Sequence, residues 1–221
     1  MLKRIFDIIL SLFFILIFLP FGLIISIILK FTGEKEIFYL QKRIGKEGKE
    51  IKIFKFTTML KNSEQIGAKD ITLENDSRVL PFGKFLRKTK LNEVPQLINI
   101  LLGSMSFVGP RPLTPKVFNY YSEEIKSEIK SLKPGLTGIG SIYFRNEELF
   151  IGKGNDFVKS YKDKIVPYKG QLELWYKKHH SFLLDCFLIF LTALVVLFPS
   201  FKDPLKCFKD LPVYSDYANC D

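Results

Sequence analysis

RKTKLNEVPQLINILLGSMSFVGPRP, residues 87 to 112, joins a polar cluster, a short apolar helix and a stiff Pro-Arg-Pro loop without a spacer. Val94, Leu97, Ile98, Leu101 and Leu102 recur at i, i+3, i+4, i+7 and i+8. That spacing predicts a helix from about Glu93 to Leu102, with this stripe buried and Gln96 and Asn99 on the free side. Asn92 is the predicted N-cap, Pro95 suits the first turn, and Gly103 stands where a helix commonly ends. The unpaired N–H groups of such a start favour a phosphate-bearing ligand beside Asn92 and Glu93. Arg111 lies between two prolines that fix their own φ and extend the residues before them. Its guanidinium therefore starts from a stiff base and can fork onto phosphate oxygens.

Outward from this strip, the bulk properties point to a membrane and to anions. The 221 residues allow one domain with appended membrane elements, and 47% hydrophobic content with 22 Phe is high for a soluble domain of that size. A net charge of +10 implies an anionic partner: nucleic acid, acidic headgroups or phosphorylated substrates. Cys186, Cys207 and Cys220 are odd in number and form no CxxC pair, so they support neither a disulfide framework nor a zinc site and read as reduced thiols facing the cytosol.

Taken in order, the chain begins with 22 uncharged residues between Asp7 and Lys30, enough at about 1.5 Å per residue to cross a hydrocarbon core of about 30 Å. The run is too long for the apolar part of a cleaved signal, so it reads as a retained anchor. Lys3 and Arg4 precede it and Lys30 follows, giving both ends cations that favour the cytoplasm, and Pro20 can kink its middle. On pattern alone a straight spanning helix stands beside a kinked one. Residues 36–59 read as a β-hairpin around Gly45-Lys46-Glu47-Gly48. Arg78, Lys84, Arg87, Lys88 and Lys90 form a basic run that alone is a solvated face; beside a phosphate site, Arg87 joins Arg111 as a phosphate contact. Residues 114–132 read as one amphipathic helix ending before Pro134-Gly135, and Arg145 taken alone is a surface arginine. Trp175 and Tyr176 suit a membrane interface, and His179 and His180, being adjacent, cannot chelate one metal from a helix. The apolar run from Cys186 to Phe198 is too short to span and reads as an interfacial helix with Asp185 at its start. These elements predict an α/β fold, mostly helical with a small β-hairpin, carried by a membrane helix and interfacial amphipathic helices.

The strip FGKFLRKTKLNEVPQLINILLGSMSFVGPRPL resembles the catalytic core of the bacterial sugar transferases, the monotopic phosphoglycosyl transferases. KRIFD at the start, FKFTTM at 54 to 59, NDSR at 75 to 78, KPGLTG at 133 to 138, RN at 145 and 146 and LELWY at 172 to 176 follow in order, so the likeness covers roughly residues 1 to 200. It implies a re-entrant membrane helix over 1–32, a cytoplasmic catalytic domain with interfacial helices over 33–200 and a tail over 201–221, on the cytoplasmic face of the bacterial inner membrane. It further implies ping-pong transfer of a phosphosugar from a UDP-sugar, with magnesium, to polyprenol phosphate, the first membrane step of polysaccharide assembly. Membrane lipids are then the other partner, nucleic acid is not, and oligomeric state stays open. Arg78, Arg87, Arg111 and Arg145 are the implied phosphate contacts, with the loop at Arg145 closing over nucleotide or sugar.

Three positions depart from the family pattern. Asn92-Glu93 stands where the family has an Asp-Glu dyad whose Asp forms the covalent phosphosugar intermediate, Thr57 stands for an Arg, and Ser104 for an Asp. An amide has no charge to attack with and offers magnesium only a neutral carbonyl, leaving Glu93 as base and as the weak metal-ligand candidate. The sequence therefore supports a phosphoglycosyl transferase with doubtful two-step activity, or else a membrane-bound nucleotide-sugar and polyprenol-phosphate binding protein or scaffold.

Overall fold

The computed structural model describes residues 2–65, 76–145, 157–198 and 204–214. Asn75, Asn146 and Cys220, named above, lie outside them. The chain divides into two compact units: the described residues of Met1–Arg43 with Glu50–Ser106, and those of Ile44–Lys49 with Phe107–Asp221. Among the described residues the fold is mostly helical, with two small two-stranded sheets, in accord with the expected class.

The first unit opens with α1 (Leu2–Phe31), 30 residues that stay helical through Pro20. Its most apolar 18 residues have a mean hydropathy of 3.0, so the helix is long and apolar enough to cross a membrane. Half of its residues are exposed and most of the others half-buried; the buried ones are Asp7 and Ser11 near the start and Ile25 and Leu29 near the end. The predicted hairpin is present as β1 (Phe38–Ile44) and β2 (Glu50–Phe56). Ile25 and Leu29 of α1 pack with Phe56 of β2 and Leu86 of α2 (Pro81–Lys88) into the unit's apolar core.

The central helix differs from its expectation in two ways. It is shorter, with α3 running over Gln96–Leu102 after a separate 3₁₀ turn at Leu91–Glu93, so Asn92 caps nothing and Pro95 holds the N-cap place without a side-chain bond. The i→i−3 bonds from Glu93 N to Lys90 O and from Val94 N to Leu91 O tighten this start, and Lys90 enters it with a left-handed φ of 60°. Its faces also differ in part: Leu97 of the expected stripe is buried, but so are Gln96 and Asn99, whereas Leu102 is 71% exposed. Tertiary bonding overrides the apolar period here. Asn99 Oδ1 accepts from Phe54 N at 2.9 Å and its Nδ2 donates to Lys52 O at 2.8 Å, clamping α3 to the backbone of β2. The end at Gly103 is as expected, in the left-handed region at φ 88°.

The second unit pairs β3 (Ser106–Val108) with β4 (Gly135–Thr137). The helix expected over 114–132 is two, α4 (Pro115–Phe118) and α5 (Glu123–Ile129), because Ser122 accepts from Ile125 N and starts a new helix. After α6 (Ile139–Tyr143) and α7 (Phe157–Ser160), a π turn at Tyr161–Ile165 leads into α8 (Val166–His179), followed by α9 (Phe182–Leu197). Helix α8 is the unit's centre, with Tyr168, Leu172 and Tyr176 each at most 1% exposed. Tyr176 is thus a core residue, not an interfacial one; its hydroxyl donates to Asp185 Oδ1 at 2.6 Å. Of the stretch expected as a tail, residues 204–214 form turns that pack on this unit: Tyr168 donates to Pro212 O, Phe208 lies against Trp175 and Phe187, and Tyr214 against Tyr143 and Tyr168.

Candidate active site

Asn92, Glu93, Arg87 and Arg78 belong to the first unit, Arg111 and Arg145 to the second. In the first, the 3₁₀ turn holds the Asn92 side chain 7% exposed, and its Oδ1 is buried without a hydrogen-bond partner. Thr57, directly after β2, is 6% exposed and its hydroxyl is likewise unpartnered. Leaving such an atom unsatisfied costs about 1–3 kcal/mol. Two neutral oxygens that bear this cost in one small unit mark polar ground that a ligand would satisfy. Arg87 ends α2 in a basic last turn, and Arg87, Lys90 and Glu93 all have polar or ring partners.

Arg78 has a different setting from that expected of a phosphate contact. Its side chain is 3% exposed and grips Asp76 with Nη2 to Oδ2 at 2.6 Å and Nε to Oδ1 at 2.9 Å, while Nη1 donates to Ser63 O at 2.8 Å. A bidentate buried pair of this kind fixes a turn. Two other residues gain roles in place of those the sequence suggested. Arg4 donates from Nη1 to Ile100 O at 2.6 Å and from Nη2 to Leu101 O at 2.7 Å, placing its charge at the negative end of α3. Ser104 donates to Asn99 O at 3.2 Å and closes the same helix end.

In the second unit, Arg111 follows β3 on a loop locked by close backbone contact. Gly109 N donates to Thr137 O at 3.0 Å and Gly135 N to Pro110 O at 2.9 Å. A Cβ on Gly109 would stand 2.2 Å from Lys133 O, so only glycine permits this approach. Beneath the loop lies Glu173, which the sequence reading passed over. Burial pushes its carboxyl up to about 8, outweighing the Arg111 N–H, Lys169 and the Arg111 charge, which pull it down. Lys169 is 6% exposed, with Nζ 3.3 Å from the Tyr161 hydroxyl and 5.0 Å from the Phe144 ring centroid. A signal for both was present: Lys169 and Glu173 share the apolar stripe of Ile165, Leu172 and Tyr176, where charges need partners. Arg145 is half-buried, and burial draws its guanidinium below the usual arginine value. Among the described residues, no three of His, Cys, Asp and Glu gather as a metal cage.

A sequence profile of bacterial sugar transferases matches residues 1–199. An undecaprenyl-phosphate galactose phosphotransferase of Salmonella typhimurium is 32% identical over 211 residues, covering 89% of this chain and 40% of that one. A UDP-glucose:undecaprenyl-phosphate glucose-1-phosphate transferase of Klebsiella pneumoniae is 35% identical over 196 residues, covering 86% and 39%. The exopolysaccharide production protein ExoY of Rhizobium meliloti is 35% identical over 161 residues, covering 66% and 71%. The chain thus spans about two fifths of the length of the first two relatives.

Proposed function

The chain belongs to the bacterial sugar transferase family, and from that membership we propose that it moves a sugar-1-phosphate from a UDP-sugar onto polyprenol phosphate at the cytoplasmic face of the bacterial inner membrane. The observation that carries the proposal is the match over residues 1–199, which takes in the Asn92-Glu93 strip, the Pro-Arg-Pro loop and α1 together. The names of the Salmonella and Klebsiella relatives support undecaprenyl phosphate as the acceptor class. Within the second unit Arg111 forks onto phosphate from its stiff loop and Arg145 adds positive charge; within the first, Arg87 adds positive charge and Glu93 takes or orients a proton. Glu93 and the unpartnered Asn92 Oδ1 are oxygen donors of the kind magnesium accepts when its remaining ligands are phosphate and water. Magnesium held there would neutralise charge on the phosphate oxygens and the departing UMP.

In this reading the two-step route is impaired in the chain as written, because the neutral Asn92 amide forms no covalent phosphosugar ester. Two routes are left: attack on the β-phosphorus by the Glu93 carboxylate, or a direct one in which an acceptor phosphate oxygen bonds to the β-phosphorus; in either the bond to the bridging oxygen breaks and the electron pair leaves with UMP. A second reading, binding without turnover, is favoured by the same amide.

A re-entrant α1 is supported by its docking within one unit. Arg4 and Asp7 at its start bind Ile100, Leu101 and Ser106, and Ile25 and Leu29 at its end pack on Phe56 and Leu86. A helix held at both ends by one polar body is hard to place with its ends on opposite sides of a bilayer. In the second unit, α9 buries Leu188, Leu191 and Val195 and exposes Leu183, Phe190 and Leu197, as a helix lying in an interface would. The test is purified full chain in detergent with UDP-sugars, magnesium and polyprenol phosphate, followed for labelled sugar in the lipid product. Sugar-1-phosphate in the lipid supports transfer; UDP-sugar binding without product supports the binding protein; neither removes both readings.

A further inference from the structure

Phe144 closes α6, its N–H donating to Gly140 O at 3.0 Å, and the next residue is Arg145. Whatever fixes Phe144 therefore fixes the main chain from which the Arg145 guanidinium starts. The Phe144 ring is 5% exposed and boxed in. Tyr143 and Tyr168 stand edge-on to it with centroids 4.9 and 5.8 Å away, Lys169 Nζ lies 5.0 Å from its centroid, and Tyr214 stands at 6.4 Å with its plane at 79°. The first three come from α6 and α8. Tyr214 comes from the segment 204–214, past the residues 1–199 that the family profile matches.

This segment is strapped to α8 at two points. Toward its start, Phe208 lies against Trp175 at 5.1 Å and against Phe187 of α9 at 5.7 Å. Toward its end, the Tyr214 ring packs on Tyr168 at 5.1 Å and on Tyr143 at 6.3 Å, and Pro212 O accepts from the Tyr168 hydroxyl at 2.9 Å. Tyr168 is 1% exposed, so that bond gives its buried hydroxyl proton a partner and ties the strap to the centre of the unit.

We propose that Tyr214 is a positioning residue for Arg145: the strap sets its ring on Tyr143 and Phe144 and so holds the main chain from which the guanidinium reaches phosphate. This rests on the reading of Arg145 as a phosphate contact. A side chain that starts from an immobilised base loses less freedom on binding, so removing the ring weakens phosphate binding without touching the contact itself.

The test is a double-mutant cycle in full-length protein in detergent, read as UDP affinity by calorimetry on chains whose melting transition shows them folded. The four chains are the unchanged one, Tyr214→Ala, Arg145→Ala and the double variant, with Tyr214→Phe as the conservative control that keeps the ring. Tyr214→Ala should weaken UDP binding about fivefold and Arg145→Ala about tenfold or more. The double variant should bind no worse than Arg145→Ala, because a residue that acts through Arg145 then has nothing to act on, and Tyr214→Phe should stay within about twofold of the unchanged chain. Losses that multiply in the double variant make Tyr214 a general support of the fold and overturn the proposal. Unchanged affinity in Tyr214→Ala, with Arg145→Ala weakened, overturns the positioning alone and leaves Arg145 as a phosphate contact; a loss in Tyr214→Phe equal to that in Tyr214→Ala overturns the part given to the ring. If Arg145→Ala binds UDP as well as the unchanged chain, or if neither binds it, the phosphate reading of Arg145 fails and the proposal falls with it. Should Tyr214→Ala not fold, Tyr214→Leu takes its place in the cycle, with the same outcomes deciding.

Discussion

Replacing Arg111 by Lys keeps the positive charge and loses the planar fork, so the two substitutions Arg111→Lys and Arg111→Ala separate charge from geometry. UDP-sugar affinity should already fall in Arg111→Lys, by about five- to tenfold, and further in Arg111→Ala; equal affinity in all three proteins would remove Arg111 from the phosphate site. Glu173 has a thermodynamic signature. Its folded pKa of about 8 lies above the ordinary 4.5, so the folded state binds the extra proton and its contribution is full below about pH 4.5 and lost as pH rises through about 8. The melting temperature should decline across that window, less steeply in Glu173→Gln. Asn99→Ala strips the clamp from Phe54 N and Lys52 O and should cost about 2–4 kcal/mol, seen as a lower urea midpoint. At this scale the sequence was legible where a side chain's chemistry is local, as for Gly103 at the helix end. It was not where a distant backbone decides: Asn99 looked free because its partners lie on β2, and Asn92 looked like a cap because the separate 3₁₀ turn leaves no mark on the apolar spacing.

Helix α1 is the element on which membrane topology turns. With Arg4 tied to the end of α3 and Leu29 packed on the first unit's core, both termini of the helix should lie on the cytoplasmic side. In a chain with its own cysteines replaced, neither Leu2→Cys nor Lys35→Cys should react with an impermeant thiol reagent applied to intact cells. Labelling at position 2 without labelling at position 35 would establish a spanning helix. The hairpin and the helix α9 were legible because strand alternation and length are carried by short stretches of residues. The break between α4 and α5 was missed because Tyr120, Tyr121 and Ile125 continue the apolar period across it, while the Ser122 hydroxyl, accepting from Ile125 N, restarts the helix.

For the molecule as a whole, the family was legible because its motifs follow one another in order over the matched residues 1–199. The division into two units was not, because it takes residues 44–49 away from their sequence neighbours, and Glu47 N donates to Lys130 O in the second unit. Nor was the packing of residues 204–214, which lie past the matched region and rest on aromatic contacts with α6, α8 and α9. The central claim is that the site can hold a UDP-sugar and lacks the aspartate nucleophile for a covalent step. Asparagine and aspartate are close in size, so Asn92→Asp should leave the fold nearly intact while supplying the missing carboxylate. The most direct measurement is UMP release from UDP-sugar, with magnesium, by the chain as written and by Asn92→Asp. The account predicts little or no release from the former and an increase on the order of 10⁴-fold or more in the latter, the scale of losing a nucleophile in other enzymes. Release at about 1 s⁻¹ by the chain as written, unchanged in Asn92→Asp, would contradict it.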